Sequence, residues 1–417
     1  MRLAIYILIF LSSLAATAQS LHENSWQHFS SDRAFVGTDA YVSGASNSIT
    51  NSFAWNFLRQ PWLTNELRNN QSAKLTTGTT NRSGVDYSSS VTAGLNLASR
   101  EHGVFLHVAD RFNAESIITK EAFDLTTRGN KPFAGDTLNL GYNMLRSIRY
   151  QQIGIGWTYS AKADSRYSVM VSYINGQSLN FGYLNNASLY TSSIGDTLAV
   201  AAAAYANVSD TSNRTFAASN AWGLALDLFM SQEIDGMNNC WKVNVSMTDI
   251  GFTQWTNKTA TYLVDTSIVF GGLEIANLDA FLNLDSTDIV SDSVSQFMDQ
   301  IHYTNQVGHR LPGRLQINLT QQVAKGFYAG GGVAFRLFSI YRPYGWLTGG
   351  LAFSESFKTQ LELGYGGYGN LQVAAMAMFQ TDHLRAFAKI GNLEALTVPQ
   401  HFGGATAQIG IQYAFGS

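Results

Sequence analysis

Three features of the sequence together predict an all-β chain closed into an antiparallel transmembrane β-barrel of about 14 to 16 strands, with long extracellular loops. The first is the C-terminal stretch, where Ala405, Ala407, Ile409, Ile411, Tyr413 and Phe415 share one face and Thr406, Gln408, Gly410 and Gln412 the other. Such a period-two strand of roughly 9–11 residues spans the hydrocarbon when tilted. The second is that only 13% of the 417 residues are charged, against about 25% in ordinary globular domains. Few positions can therefore face open water. The third is a mean hydropathy of -0.04 with no long apolar run after the first 18 residues, whereas a transmembrane helix needs roughly 18 or more. A sheet in hydrocarbon must close on itself, because each unpaired backbone group there costs several kcal/mol.

At the N-terminus, Arg2, the apolar run Leu3 to Leu14 and the small-x-small triplet Ala16-Thr17-Ala18 have the form of a secretory signal peptide, so residues 1–18 are expected to be removed. Residues 19–48 show no sustained period and are read as an N-terminal periplasmic or plug-like segment, with the barrel occupying 49–417. Thirty-seven glycines against five prolines suit a large sheet, since proline removes ladder hydrogen bonds. The net charge of -3 lacks the basic stripe of a nucleic-acid binder. A lone Cys240 can form no internal disulfide and is read as a small wall residue.

Along the chain, Ile49 to Phe57 is a candidate first strand, although Asn51 falls on its apolar face. Val85 to Leu97 alternates clearly, with Asp86, Ser88, Ser90 and Thr92 opposite the apolar set. Val104–Ala109 follows, then Glu115 to Leu125 reads as a short helix. Alternation resumes at Ile153, Ile155, Trp157 and Tyr159, continues in Tyr167–Ile174, and returns weakly at Leu179–Tyr183. Trp222 to Met230 and Trp241 to Met247 form a hairpin across Asp235-Gly236, a turn dipeptide. After an acidic insertion between Asp265 and Arg310 come Leu315–Leu319, Phe327–Leu337, Trp346–Phe353, Phe357–Tyr365, Leu371–Phe379, Leu384–Ile390 and Ala405–Phe415.

Outer-membrane barrels keep periplasmic turns short and extracellular loops long, with the C-terminus periplasmic. Counted back from Phe415, the insertions 184–218, 265–310 and 392–404 fall outside and the turns at Asp235-Gly236, Lys325, Ser354 and Asp382 inside. By the same count 110–147 falls on the periplasmic side, which implies a docked helix or a miscounted strand.

Two stretches carry a resemblance. The ending Gln408-x-Gly410-x-x-Tyr413-x-Phe415 looks like the signal by which bacterial outer-membrane barrels are handed to their assembly machinery. The run from Val245 through Asp249, Gly251 and Phe252 to Trp255, with Glu121-Ala-Phe123, Gly129-Asn130 and Phe133-Ala-Gly135, resembles a family of uncharacterised Bacteroidota outer-membrane barrels, architecturally similar to fatty-acid transporter barrels. The resemblance implies an outer-membrane location, a barrel fold and an accessory role with protein partners in secretion or surface-protein assembly. It supplies no catalytic residue.

With the apolar faces outward, the C-terminal half of the lumen receives Lys242, Arg314, Arg336, Lys358, Arg385 and Lys389 against Asp227 and Glu362. One-signed charge in a passage attracts counter-ions, which suits a weakly anion-attracting pore. The competing and favoured reading is an interior ion-pair and hydrogen-bond network bracing a filled barrel, with acidic partners from the N-terminal segment. The histidines offer no metal-spaced pair, and no nucleophile elbow occurs. Asp279, Asp285, Asp288, Asp292 and Asp299 lack the glycine turn of a calcium loop and are read as solvated charge. The expectation is a non-enzymatic barrel, without metal or cofactor, that serves as a structural or accessory component at the cell surface. The alternative is a passive channel or uptake barrel for small or hydrophobic solutes. Its partners are the lipid bilayer and the barrel assembly machinery, and no nucleic acid.

Overall fold

The strand β1 (Ala34–Ser46) pairs along its whole length with β17 (Gly403–Phe415) on one side and with β2 (Arg82–Asn96) on the other, and this seam closes the sheet. The computed structural model describes residues 34–415 apart from 61, 79, 98–100, 163–164, 214, 236–239 and 272–301. The expected signal peptide 1–18, residues 19–33, the Gly236 turn and the acidic cluster 279–299 lie outside the described residues.

Between the seam strands the wall continues through β3 (His102–Ile117), β5 (Asn143–Lys162), β6 (Ser165–Thr191), β8 (Ala221–Asp235) and β9 (Cys240–Phe270). It returns through β11 (Arg314–Ala324), β12 (Phe327–Arg336), β13 (Arg342–Ala352), β14 (Phe357–Gly367), β15 (Leu371–Gln380) and β16 (Leu384–Gly391). The ring is a closed antiparallel barrel of fourteen strands. Three further strands only extend it. β4 (Thr137–Asn139) and β7 (Leu198–Val208) flank the far end of β6, and β10 (His302–Arg310) flanks that of β9.

The outward face carries Val91, Leu95, Leu106, Val108, Ile153, Ile155, Leu224, Leu226, Leu347, Leu361 and Ile409, all exposed, while Asp86, Thr92, His107, Gln152, Asp227, Glu362 and Gln408 are buried inside. Aromatic residues bound this belt, with Tyr413, Phe415, Phe379, Phe357 and Trp241 towards one rim and Trp222, Phe252, Phe335 and Tyr365 towards the other. Only a bilayer accepts such an exterior on a closed sheet, and the protein is an outer-membrane barrel.

Several expectations need correction. Residues 34–46 are a wall strand and no part of a plug. The period was illegible because both faces are mixed: Phe35, Asp39, Tyr41 and Ser43 point inward, and Val36, Thr38, Ala40 and Val42 outward. Ile49 to Phe57 is not a strand, since α1 (Asn51–Arg59) begins after Thr50, whose hydroxyl caps the Phe53 N–H. Phe53 and Phe57 then stack at the i,i+4 spacing that period two had disguised, 5.9 Å between centroids. α2 (Asn65–Ser72) follows in the same extracellular connection. Glu115 belongs to β3, and the helix there is α3 (Lys120–Arg128), capped by Thr119. Tyr167–Ile174 and Leu179–Tyr183 are parts of one 27-residue strand, β6. With that strand counted once, 110–147 falls on the extracellular side with the other long connections, and the sidedness is consistent throughout. The insertion 184–218 is not irregular throughout, since its alanines form β7.

Candidate functional site: the barrel lumen

Alternation that keeps apolar side chains on lipid sends every second residue inward, so each wall strand delivers polar side chains to the lumen. Its outer half is filled. Arg336 of β12 holds Asp86 of β2 through two parallel bonds of 2.8 and 2.9 Å, and Asn113 donates to the same carboxylate at 2.8 Å. The same guanidinium reaches the Tyr368 hydroxyl at 3.1 Å, and that hydroxyl donates to Glu115 at 2.9 Å. Glu115 also pairs with Arg146 at 3.5 Å and accepts from Ser339 at 2.5 Å.

Arg146 donates in turn to the carbonyls of Phe338 and Arg310, so the β12–β13 turn is strapped over the mouth. Phe338 adopts a left-handed φ of 53° there, and the Arg310 guanidinium covers its ring at 4.6 Å. Tyr341 and Tyr368 lie in the turns beyond the strands. Burial, foremost, raises both phenols above their ordinary value, although Arg314 beside Tyr341 and Arg336 beside Tyr368 pull the other way. Both therefore remain protonated.

At mid-depth Arg111 pairs with Asp249, whose backbone N–H donates to Asp227, and Gln152 donates to Asp227 at 2.8 Å. Asp249 has a left-handed φ of 59°, opposite a register shift between Leu226 and Leu228. Gly251 next in line cannot carry a side chain, because a Cβ would stand 2.1 Å from the Leu224 carbonyl oxygen. Trp255 is fully buried. The Asp-x-Gly-Phe…Trp motif thus marks a backbone irregularity and its packing. Nearby, Lys389 and Glu362 pair at 2.8 Å, and the Tyr344 hydroxyl donates to Glu362 at 3.1 Å.

Toward the periplasmic rim the described residues leave the lumen open. A vestibule of ≈ 1180 Å³ is lined by Arg166, Lys242, Lys358, Arg385, Met376 and Met378, among others. A smaller cavity of ≈ 330 Å³ lies at the extracellular rim between Ser48, Lys74, Asn370, Glu394 and His401.

The eight lumen residues expected from the sequence all face inward but do not form one site. Arg336 belongs to the outer network, beside Arg314 in register, while Asp227 lies at mid-depth and Glu362 pairs with Lys389. Lys242, paired with Glu233 at 3.5 Å, and Lys358 and Arg385 line the vestibule. The assembly-signal residues divide by face: Gln408 and Gly410 point inward, and Tyr413 and Phe415 pack edge-on at the lipid rim, 4.9 Å apart. Sequence reasoning places Asp86 on the lumenal face but not as the partner of Arg336, and it misses Arg111, Glu115, Arg146 and Asp249 as lumenal partners. The inward rhythm of His107, Ala109, Arg111, Asn113 and Glu115 was available. It was obscured by Asp110, which points outward and binds Arg149 at 2.8 Å.

A family model of proteins of unknown function matches residues 34–389. The chain belongs to this family, DUF5723. Among curated proteins none matches the sequence. Of solved structures, the DUF5723 chain is similar to a TodX deltaS2S3 mutant monoaromatic hydrocarbon channel, with 8% identity, TM-score 0.43, and 93% of this chain and 91% of that one covered. The toluene transporter TodX of P. putida gives 8% identity and a TM-score of 0.41, covering 94% and 92%. The translocator domain of autotransporter NalP from Neisseria meningitidis gives 9% identity and a TM-score of 0.35, covering 99% and 98%. At such scores these likenesses say nothing about cargo.

Proposed function

We propose that this protein is an outer-membrane channel or uptake barrel for small solutes, closed at rest by the side chains of its outer half. The observation that carries the reading is the contrast along the lumen: interlocked ion pairs near the surface, and a vestibule of ≈ 1180 Å³ beneath them. A barrel with a purely structural task has no need for a volume that its described wall residues leave unfilled. Catalysis is no part of this reading, and the lipid bilayer and the assembly machinery are its partners.

The second reading, a structural or accessory barrel with protein partners at the surface, is favoured by the outer network itself, which braces five strands and two turns. Bilayer conductance separates the two. The intact protein should be silent. The paired variant Asp86→Ala/Arg336→Ala, which removes bulk without stranding a charge, should conduct with a modest anion preference set by the vestibule's Arg and Lys. A folded, inserted variant that stays silent would favour the structural reading.

A further inference from the structure

We propose that the smaller cavity at the extracellular rim binds a small zwitterion of the amino-acid class, its ammonium on Glu394, its carboxylate on Lys74 and its apolar side chain against Ile49, Leu371 and Phe402. This names a solute class for the uptake reading and rests on it for its purpose.

The cavity of ≈ 330 Å³ is walled by three extracellular connections, those between β1 and β2, β14 and β15, and β16 and β17. Glu394 and Lys74 both line it, and each is held in place. The Glu394 carboxylate accepts from the Val373 N–H at 2.8 Å and from the Asn392 amide at 3.0 Å, and the residue is only 9% exposed. Lys74 donates to the Gln400 carbonyl with one of its three ammonium hydrogens, so two remain. Neither residue makes an ion pair among the described residues, with the other or with a third group.

A carboxylate withdrawn from water without a counter-ion carries a desolvation cost, and a cation brought to it is favoured accordingly. Asn392, at a left-handed φ of 47°, keeps its amide on that carboxylate, and its own Oδ1 has no hydrogen-bond partner among the described residues. This wall is therefore rich in acceptors. Lys74 supplies the opposite charge, and the third titratable lining group, His401, is exposed at the rim.

One cavity thus holds one charge of each sign, kept apart by their separate anchors. A ligand with a single charge satisfies one of them and leaves the other bare. An α-amino acid carries an ammonium and a carboxylate on the same carbon and satisfies both with charge-assisted hydrogen bonds. The volume falls at the small end of ligand sites, about 300–1,000 Å³, and the apolar lining leaves room for a hydrocarbon side chain to leave water. Tyr368, whose hydroxyl belongs to the outer network, directly precedes Gly369 in the cavity wall, so the site stands beside the closure and on its extracellular side.

The test is calorimetry on the intact protein in phosphatidylcholine nanodiscs, with leucine, 4-methylpentanoate and 3-methylbutylamine as probes: the zwitterion, and the same skeleton with only its carboxylate or only its amine. Leucine should bind at least tenfold more tightly than either. Glu394→Gln, which keeps an acceptor for the Val373 N–H, should weaken leucine and the amine at least tenfold and spare the carboxylate. Lys74→Gln should weaken leucine and the carboxylate and spare the amine. If Glu394→Gln does not insert, Lys74→Gln alone carries the comparison, with at least a threefold loss of leucine binding expected. No binding of leucine, equal binding of leucine and either half-molecule, or variants that weaken all three probes alike overturn the proposal. Binding needs no conduction: a barrel that binds leucine yet stays silent when opened by Asp86→Ala/Arg336→Ala overturns the channel reading instead.

Discussion

Replacing Arg336 with methionine should be among the most destabilising single changes in the lumen. The guanidinium and the Asp86 carboxylate have side chains only 5% and 10% exposed, so solvent does little to screen the pair. Arg336→Met leaves Asp86 charged and buried with Asn113 as its remaining donor, and the Tyr368 hydroxyl loses one neighbour. Stranding one partner of a buried pair costs about 3–5 kcal/mol, and the surviving Asn113 bond places this case near 3. The double change Asp86→Leu/Arg336→Met replaces the pair with apolar groups of similar bulk. It should recover all but about 1 kcal/mol, the cost of leaving the Asn113 amide unsatisfied. A urea titration of folding into lipid vesicles, followed by tryptophan fluorescence and heat-modifiable migration, measures both. Single variants that each cost under 1 kcal/mol and simply add would mean that water already reaches the pair, and the closed outer half would have to be abandoned.

Leu226→Arg puts a cation on the lipid face and should cost about 2–4 kcal/mol in the same titration, whereas Asp227→Asn keeps an acceptor for Gln152 and relieves repulsion from Asp249, so it should be mild. Gly84→Ala should cost about 1–3 kcal/mol, because its Cβ would meet the Tyr368 ring at 2.1 Å and push the hydroxyl off Glu115; a neutral result would show that the ring has room to move. Removing Tyr413 to Ser417 should abolish assembly into the membrane while leaving export intact, read as loss of the heat-modifiable form from the outer-membrane fraction. Lys358→Glu should leave folding unchanged, since that side chain borders the vestibule, and should weaken the anion preference of the opened Asp86→Ala/Arg336→Ala barrel.

The parts legible in the sequence are those where one physical demand acts alone. In β5, Ile153, Ile155 and Trp157 face lipid and Gln152, Gly154 and Gly156 face the lumen, so solvent polarity alone writes the pattern. In β1 a second demand intervenes, because Phe35 and Tyr41 are needed inside as packing, and polarity ceases to mark the faces. The extracellular extensions of β6 and β9 leave the hydrocarbon and with it the reason to alternate. The lumen was half legible for a different reason. A lone strand shows which residues point inward but not their depth, and Asp86 meets Arg336 across 250 positions of sequence. The vestibule needs three-dimensional volume, which no spacing encodes. Arg166 and Arg385, which both line it, stand six strands apart on the fourteen-strand ring and 219 positions apart in sequence.

The seam has a consequence of a topological kind. Ala34 stands opposite Phe415 at the periplasmic rim, so the two ends of the described chain are neighbours. The wall is a ring whose starting point the physics of pairing leaves open, since each strand only needs its two flanking partners. Joining those ends with a short linker and cutting at the exposed Glu355 turn would give the same ring with a different strand last. That rearranged chain separates two roles which β17 combines here: closing the circle, and presenting the terminal aromatic pair. If the rearranged protein assembles as well as the original, the position of a strand in the wall matters and its place in the reading order does not. If it assembles only when Gln408 to Phe415 is restored to the end, then the order of synthesis is itself a structural element of the barrel.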